Sequence, residues 1–170
     1  MANVEKDFLF GAATTLDARE VAKNSDCNQC HVKLTAHGSR RDVKLCILCH
    51  TSGAKDSDGV PVDFRVMVHK LHNSANLPST LGVSTDEDGN RVYDADAATP
   101  YTLAGDEYSI QFPVWPSMSR AMPRDAGYSS LSSTARAMED AILKGVVECS
   151  KCHGGAADGG AADGGPDGGD

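Results

Sequence analysis

The sequence is poor in the side chains that usually fill a protein core. Aromatic residues make up 5% of its 170 positions, with one tryptophan, and apolar residues 40%. This length fits one domain, or one small domain with a tail. Because the supply of core-forming side chains is modest, we expect sparse regular secondary structure and a fold that needs apolar surface from another source.

Two further absences exclude whole classes of protein. No apolar run approaches the roughly 20 residues that a helix needs to cross a bilayer, so no transmembrane segment is predicted. Basic residues are outnumbered, 16 against 24 acidic ones, for a formal net charge of -8. Nothing resembles the basic stripe of a nucleic-acid-binding protein, so nucleic acid is not an expected partner.

No cysteine is left over once three short patterns are counted. All six cysteines of the chain lie in copies of Cys-x-x-Cys-His, which is the attachment signature of c-type haem. In that chemistry two thiols bond to the porphyrin edge, and the adjacent histidine becomes the proximal ligand of the iron. The sequence therefore predicts three covalent haem c groups. The predicted attachment residues are Cys27, Cys30, Cys46, Cys49, Cys149 and Cys152, and the proximal ligands are His31, His50 and His153.

A zinc site is the alternative reading of the first two patterns. Cys30 and Cys46 are separated by a stretch that satisfies the spacing of a zinc ribbon. A zinc site, however, gives no reason for a histidine directly after each cysteine pair. It would also leave Cys149 and Cys152 without partners, so both observations favour haem.

The histidine count supports the same interpretation. Of the six histidines, the three outside the motifs are His37, His69 and His72. Three spare histidines for three irons predict that two imidazoles bind every iron. Ligation by two histidines favours a low potential, since the potential-raising thioether of methionine is missing. It also keeps substrates off the metal, which suits an electron carrier.

His69 and His72 are predicted to lie on one helix that spans 62–73 and begins after Pro61. Residues three apart share a helix face, so the two imidazoles can serve two different haems, although an amphipathic core helix with two incidental histidines is the alternative. His37 follows His31 by six residues, which reach at most about 20 Å. We therefore assign His37 to a neighbouring haem more readily than to the first.

The remaining segments divide the chain into three parts. Residues 1–16 are predicted as a strand-like segment, 17–154 as the trihaem domain, and 155–170 as a flexible tail rich in Gly, Ala and Asp. Within the domain, Asp88-Gly89 predicts a hairpin over 83–93. A short strand is expected at 108–113 and a helix at 133–147.

Several stretches resemble the outer-surface multihaem (decahaem) c-type cytochromes of metal-reducing bacteria. The resemblance is close over 17–82 and weaker over 100–154, and it is carried by Cys-Asn-Gln-Cys-His-Val-Lys-Leu-Thr-Ala-His-Gly at 27–38, Cys-Ile-Leu-Cys-His at 46–50 and Val-Asp-Phe-Arg-Val-Met-Val-His-Lys-Leu-His at 62–72. It implies that His37, His69 and His72 are distal ligands. The expected fold class is a multihaem cytochrome c, mostly irregular with a few short α-helices and minimal β structure, organised around stacked haems. The chain has three attachment motifs, so it resembles part of one haem domain.

The predicted function is electron transfer through three bis-histidine haems, and the resemblance implies a role in extracellular electron transfer. One alternative is a small multihaem reductase or peroxidase with an open iron, for which His37 is the ligand most easily missing. Another is a repeating subunit of a haem-stacked polymer.

Expected partners are other redox proteins or multihaem cytochromes, mineral or soluble electron acceptors, and further copies of the chain. An extracellular or outer-surface location is expected, with the periplasm as the alternative. Because no signal peptide is present at Met1, the sequence is expected to be a mature portion or to begin with an added start methionine.

Overall fold

The structure is a computed structural model and describes residues 4, 6–16, 21–111, 127–143 and 151–153. Over these residues the fold is mostly irregular, with a few short helices and two small antiparallel sheets. The helices are α1 (Asn24–His31), α2 (Val43–Cys46), α3 (Phe64–His72) and α4 (Ser133–Leu143). The strands are β1 (Val83–Thr85), β2 (Arg91–Tyr93), β3 (Tyr101–Leu103) and β4 (Asp106–Tyr108). Short 3-10 helices cover Ser74–Asn76, Ser79–Leu81, Ala95–Ala97 and Tyr128–Ser130.

The chain forms two compact units. The first combines Met1–Leu45 with Cys149–Asp170, and the second is Cys46–Glu148. The short helices and small sheets agree with the predicted, mostly irregular fold class, whereas its organisation around stacked haems stays a prediction. The predicted boundaries at 1–16, 17–154 and 155–170 also stay predictions.

Few apolar side chains are buried, as the composition indicates. In the described part of the chain the buried hydrophobic residues are Val43, Val83, Tyr101 and Ala135. Phe8 and Phe10, by contrast, are 76% and 87% exposed. Hydrogen bonds between side chains and backbone link several of the described segments. None of the helices described is long and apolar enough to cross a membrane.

In the first unit, two asparagines tie α1 to the chain that follows it. The side-chain oxygen of Asn24 accepts a hydrogen bond from the Val43 backbone N–H at 2.8 Å. The side-chain oxygen of Asn28 accepts one from the Leu34 N–H at 2.6 Å. Residues four apart share a helix face, so one face of α1 fixes both downstream segments.

In the second unit, α3 begins where a capping residue allows it. The Asp63 carboxylate accepts a hydrogen bond from the Val66 N–H at 3.3 Å, which satisfies one of the unpaired donors of the first turn. The helix ends before Asn73, whose N–H donates to the His69 carbonyl. The predicted helix at 62–73 is confirmed with slightly shorter bounds.

The hairpin predicted over 83–93 is also confirmed, because β1 and β2 pair with Val83 opposite Tyr93. The strand predicted at 108–113 is wrong in its position. The observed strand β4 ends at Tyr108 and pairs with β3, the described residues 109–111 are not in a strand, and residues 112–113 lie outside the described residues. The reason is the turn at Ala104 and Gly105, whose φ angles of 52° and 85° match the two-residue turns that connect tight hairpins.

Two loops of the second unit repeat one turn. Asp56 and Asp86 each begin an Asp-x-Asp-Gly sequence, and in each the first carboxylate accepts hydrogen bonds from the N–H groups two and four residues later. The glycines have φ angles of 84° and 83°, a conformation that glycine adopts without steric cost. The sequence repeat thus encodes the same backbone twice.

Helix α4 holds the β1–β2 hairpin through a buried carboxylate. Glu139 is 7% exposed, and its Oε1 accepts hydrogen bonds from Arg91 at 2.5 Å and from the Tyr93 hydroxyl at 2.8 Å. The observed helix matches the predicted one up to Leu143. Its predicted continuation over 144–147 lies outside the described residues.

Candidate functional site

The first motif occupies helix α1. Cys27, Cys30 and His31 lie at relative positions one, four and five of that motif, so a helix places them on one face. Cys27 is half-buried, whereas Cys30 and His31 are exposed. The helix stops at Val32, which has a φ of 55°, an unusual conformation for a β-branched residue. The two thiols and the imidazole of the motif therefore lie on one face at the end of α1, and the helix ends directly after the histidine.

The second motif begins at the last residue of α2 and continues as a turn. The N–H groups of Cys49 and His50 both donate to the Cys46 carbonyl, at 3.2 Å and 3.0 Å. The two residues between the cysteines are apolar and outward-facing: Ile47 is 46% and Leu48 71% exposed. This turn therefore combines a thiol pair with an apolar surface, as a porphyrin edge requires.

The His50 imidazole is fixed by the segment that leads into α3. Its Nδ1 lies 2.7 Å from the Val62 carbonyl oxygen, and its own carbonyl accepts a hydrogen bond from the Phe64 N–H at 3.0 Å. The Phe64 ring contacts the imidazole with centroids 6.5 Å apart and a tilt of 56°. Because a carbonyl oxygen can only accept, Nδ1 carries the proton and Nε2 carries the lone pair that can bind a metal.

The two histidines of α3 show the same arrangement. The Nδ1 of His69 lies 2.6 Å from the Arg65 carbonyl oxygen, and that of His72 lies 2.8 Å from the Val68 carbonyl oxygen. Each partner is four residues earlier in the same helix. His69 is exposed and His72 half-buried. Both side chains therefore have the tautomer that ligates through Nε2.

The third motif lies in the first unit. The Nδ1 of His153 is 3.0 Å from the carbonyl oxygen of Val21, which lies shortly before α1. Cys152 is half-buried, and the predicted attachment residue Cys149 lies outside the described residues. The contact at Val21 brings the last motif of the chain to the segment that leads into the first.

His37 lies at the tip of a tight turn in the same unit. Ala36 and Arg40 pair across this turn through two backbone hydrogen bonds of 3.0 Å and 3.2 Å. His37 has a φ of 46°, and its carbonyl accepts a hydrogen bond from the Arg40 guanidinium at 3.0 Å. Histidine is among the residues enriched in this left-handed conformation, so the turn presents an exposed imidazole.

The predicted site residues are thus distributed between the units. The first unit holds the first and third motifs and His37, and the second holds the second motif, His69 and His72. The sequence reasoning missed the carbonyl partners of the imidazoles. Those at Arg65 and Val68 follow from the helix prediction, because they lie one turn back. No sequence signal identified Val62 or Val21.

The donor chemistry fits a haem rather than a metal cluster. Within the described ranges, no group of three or more His, Cys, Asp or Glu side chains is placed to hold a metal ion. The five cysteines described are thiols rather than disulfides. A c-type haem asks for two thiols on the porphyrin edge and one imidazole on each side of the iron, so it needs no such cluster. Imidazoles oriented through Nδ1 by backbone carbonyls are typical of metal ligands.

Repeated Cys-x-x-Cys-His motifs, together with imidazoles oriented in this way, are the donor set of a multihaem c-type cytochrome. Comparison with protein families agrees, because residues 19–165 match the model described as "Outer membrane cytochrome MtrC/MtrF-like, domains II/IV". The chain belongs to this family, and the resemblance predicted from the sequence is confirmed. It is a family of multihaem electron-transport cytochromes with haem c as cofactor.

One curated relative is the multiheme cytochrome MtrC of Shewanella baltica (strain OS185). The two sequences are 42% identical over 72 residues, which cover 41% of this chain and 10% of the relative. The chain thus matches about a tenth of that protein's length. No solved structure matches the chain.

Proposed function

We propose that this chain relays electrons through three covalently attached haem c groups, each with two imidazole ligands. The thiols that tether them are the pairs Cys27 and Cys30, Cys46 and Cys49, and Cys149 and Cys152. The proximal ligands are His31, His50 and His153, and the distal ligands are His37, His69 and His72. Membership of the family supports electron transport and haem c. The number of haems and this set of ligands are what we propose beyond it.

The observation that carries the proposal is the shared orientation of four imidazoles. His50, His69, His72 and His153 each place Nδ1 within 3.0 Å of a backbone carbonyl oxygen. Histidines that bind a metal almost always donate their other ring N–H to a carbonyl, a carboxylate or water. The shared arrangement supports roles as iron ligands, since the bond at Nδ1 fixes the ring and leaves Nε2 as the metal-binding nitrogen.

The side chains then hold and orient, while the bound haem supplies the one-electron chemistry at its iron. The thiols would tether each porphyrin to the chain, and backbone carbonyls hold four of the imidazoles in position. Two imidazoles per iron leave no coordination position for a substrate. This ligation favours a carrier over an enzyme, and electron transfer requires no acid, base or nucleophile from the chain.

Partners and location follow from charge and family. The net charge of -8 favours encounter with basic surfaces, and haem propionates add negative charge. We propose other redox proteins or multihaem cytochromes as partners, and minerals or soluble molecules as further acceptors. The family is one of outer-membrane cytochromes, which supports an extracellular or outer-surface location.

The proposal is tested on protein matured in a host that attaches haem c. The intact mass should exceed the sequence mass by three haems, and the haem content per chain should agree. The ferric protein at neutral pH and low concentration should give only low-spin EPR signals. Dilute protein is used because a ligand supplied by another copy would dissociate.

Each possible result has a distinct meaning. A mass without added haem would refute the proposal entirely. One high-spin iron per chain at every concentration would contradict bis-histidine ligation and favour the reductase or peroxidase alternative. A high-spin signal that disappears as the concentration rises would instead indicate that a neighbouring copy supplies a ligand, as in the polymer.

A further inference from the structure

The Asp56 carboxylate connects two parts of the second unit that are far apart in sequence. Its Oδ1 accepts hydrogen bonds from the N–H groups of Asp58 at 3.0 Å and Val60 at 2.8 Å. Its Oδ2 accepts a hydrogen bond from the Ala104 N–H at 3.0 Å. Ala104 lies in the turn between β3 and β4, so one side chain joins the 54–62 loop to that hairpin.

The same loop carries the partner of the His50 ring. Residues 54–62 form a small antiparallel pair, in which the Val62 N–H donates to the Ala54 carbonyl at 2.8 Å and the Asp56 N–H to the Val60 carbonyl at 2.9 Å. The carbonyl of Val62 then accepts the hydrogen bond from the His50 Nδ1 at 2.7 Å. Ala104 is therefore connected to the imidazole through the Asp56 carboxylate, the paired backbone of the 54–62 loop and the Val62 carbonyl.

The matching loop at Asp86 shows that the long-range bond is not required by the turn itself. Asp86 makes the same two backbone contacts, at 3.1 Å and 2.7 Å. Its Oδ2, however, is 3.4 Å from the side-chain nitrogen of Asn90 within the same loop. Asp56 thus has an additional tertiary contact beyond what the repeated turn needs.

From this geometry we infer that Asp56 is a positioning residue for His50, through the 54–62 loop and the Val62 carbonyl. The inference rests on the proposed function, in which His50 is a proximal ligand. Because Asp56 anchors the loop to the β3–β4 hairpin, it fixes the position of the Val62 carbonyl. That carbonyl sets the rotation of the His50 ring and the strength with which its Nε2 can donate electrons to a metal. Partners of this kind tune a metal centre without touching it. The haem on the second motif should therefore respond to Asp56, and the other two should not.

The test compares variants of the haem-loaded full chain. Asp56→Ala removes every carboxylate contact, whereas Asp56→Asn keeps one acceptor oxygen and replaces the other with a donor. Asp86→Ala is the matched control, because it removes the same local contacts at the other turn. EPR spectra give the g-values of each haem, and potentiometric titration gives its midpoint potential. Phe64→Leu, which alters the ring packed on His50, identifies the signals of that haem.

Both Asp56 variants should shift the g-values and midpoint potential of one haem, the same one that Phe64→Leu shifts, and Asp86→Ala should shift none. Unchanged spectra and potentials in both Asp56 variants would overturn the inference. Equal changes in all three haems, or loss of folding in both variants, would also overturn it, since Asp56 would then support the whole unit. Absence of haem from the parent protein would refute the proposed function instead.

Discussion

The Nδ1 of His72 lies 2.8 Å from the carbonyl oxygen of Val68, one turn earlier in α3, and His69 repeats the relationship with Arg65 at 2.6 Å. Residues three apart on a helix are separated by about 4.5 Å along its axis. Two rings this close and this similarly oriented can bind two irons, but not both sides of one haem. We therefore expect His69 and His72 to serve different haems.

Removing either ring should open one iron. His69→Ala and His72→Ala should each convert one low-spin ferric signal into a high-spin one, and the double variant should convert two. EPR of the haem-loaded protein measures this. Lys70→Ala, on the same helix, is the control and should leave all signals low-spin. If the double variant converts only one iron, the assignment of the two rings to two haems is wrong.

The sequence predicted α3 and the motifs because their signals are local. Helical periodicity, a preceding proline and the Cys-x-x-Cys-His spacing are each contained within a short segment. The contacts of His50 with Val62 and of His153 with Val21 depend instead on which backbone carbonyls the fold brings near. Every residue carries such a carbonyl, so composition does not distinguish these partners.

The misplaced strand shows the same limit at the level of secondary structure. The β-prone run after Tyr108 predicted a strand, but Ala104 and Gly105 form the turn and pair Leu103 with Asp106. Once that turn is set, the register fixes where the strand must lie. An Ala-Gly turn is a weaker sequence signal than the Asp-Gly turn at 88–89, which predicts the hairpin over 83–93.

Of the glycines next to or within the two hairpins, Gly82 should be the one whose replacement by alanine destabilises the protein most. A Cβ at this position would lie 2.0 Å from the Asp94 carbonyl oxygen, and its φ is 74°. Backbone strain and the steric clash together should lower the free energy of unfolding of Gly82→Ala by about 2–5 kcal/mol. Urea unfolding of the haem-loaded protein measures the change.

Gly89 provides the matched control for that substitution. Its φ is 83°, but a Cβ there would have nothing within 4 Å. Gly89→Ala should therefore cost only the left-handed conformation, about 1–2 kcal/mol. Equal losses at the two positions would mean that the close approach of Gly82 to Asp94 does not hold in solution.

The buried carboxylate of Glu139 should stabilise the contact between α4 and the β1–β2 hairpin. Glu139→Ala removes the acceptor of both Arg91 and the Tyr93 hydroxyl. Arg91 is 39% exposed and can turn to water, so the loss should be about 1–3 kcal/mol rather than that of a fully buried ion pair. The free energy of unfolding in urea reports it. Glu87→Ala, an exposed acid in the β1–β2 turn, should cost almost nothing.

Asp56 should make the protein sensitive to acid. The Ala104 N–H lowers the pKa of its carboxyl group from the ordinary 3.8, aided by the N–H groups of Val60, Asp58 and Gly59 and opposed by desolvation. The folded state thus binds the proton more weakly than the unfolded chain does. The resulting stabilisation is present above pH 3.8 and is lost as the pH falls from there through the folded-state pKa.

Asp56→Asn should therefore be less stable than the parent at neutral pH, and the difference should shrink as the pH falls below 3.8. Urea unfolding across the acid range measures this difference. Asp86→Asn serves as the reference, since it changes the same turn without the contact to Ala104. A difference for Asp56→Asn that stayed constant through the acid range would show that it comes from the lost acceptor oxygen and not from the charge of the carboxylate. The protonated carboxyl group would then still hold the 54–62 loop, and the acid sensitivity of the protein would originate elsewhere.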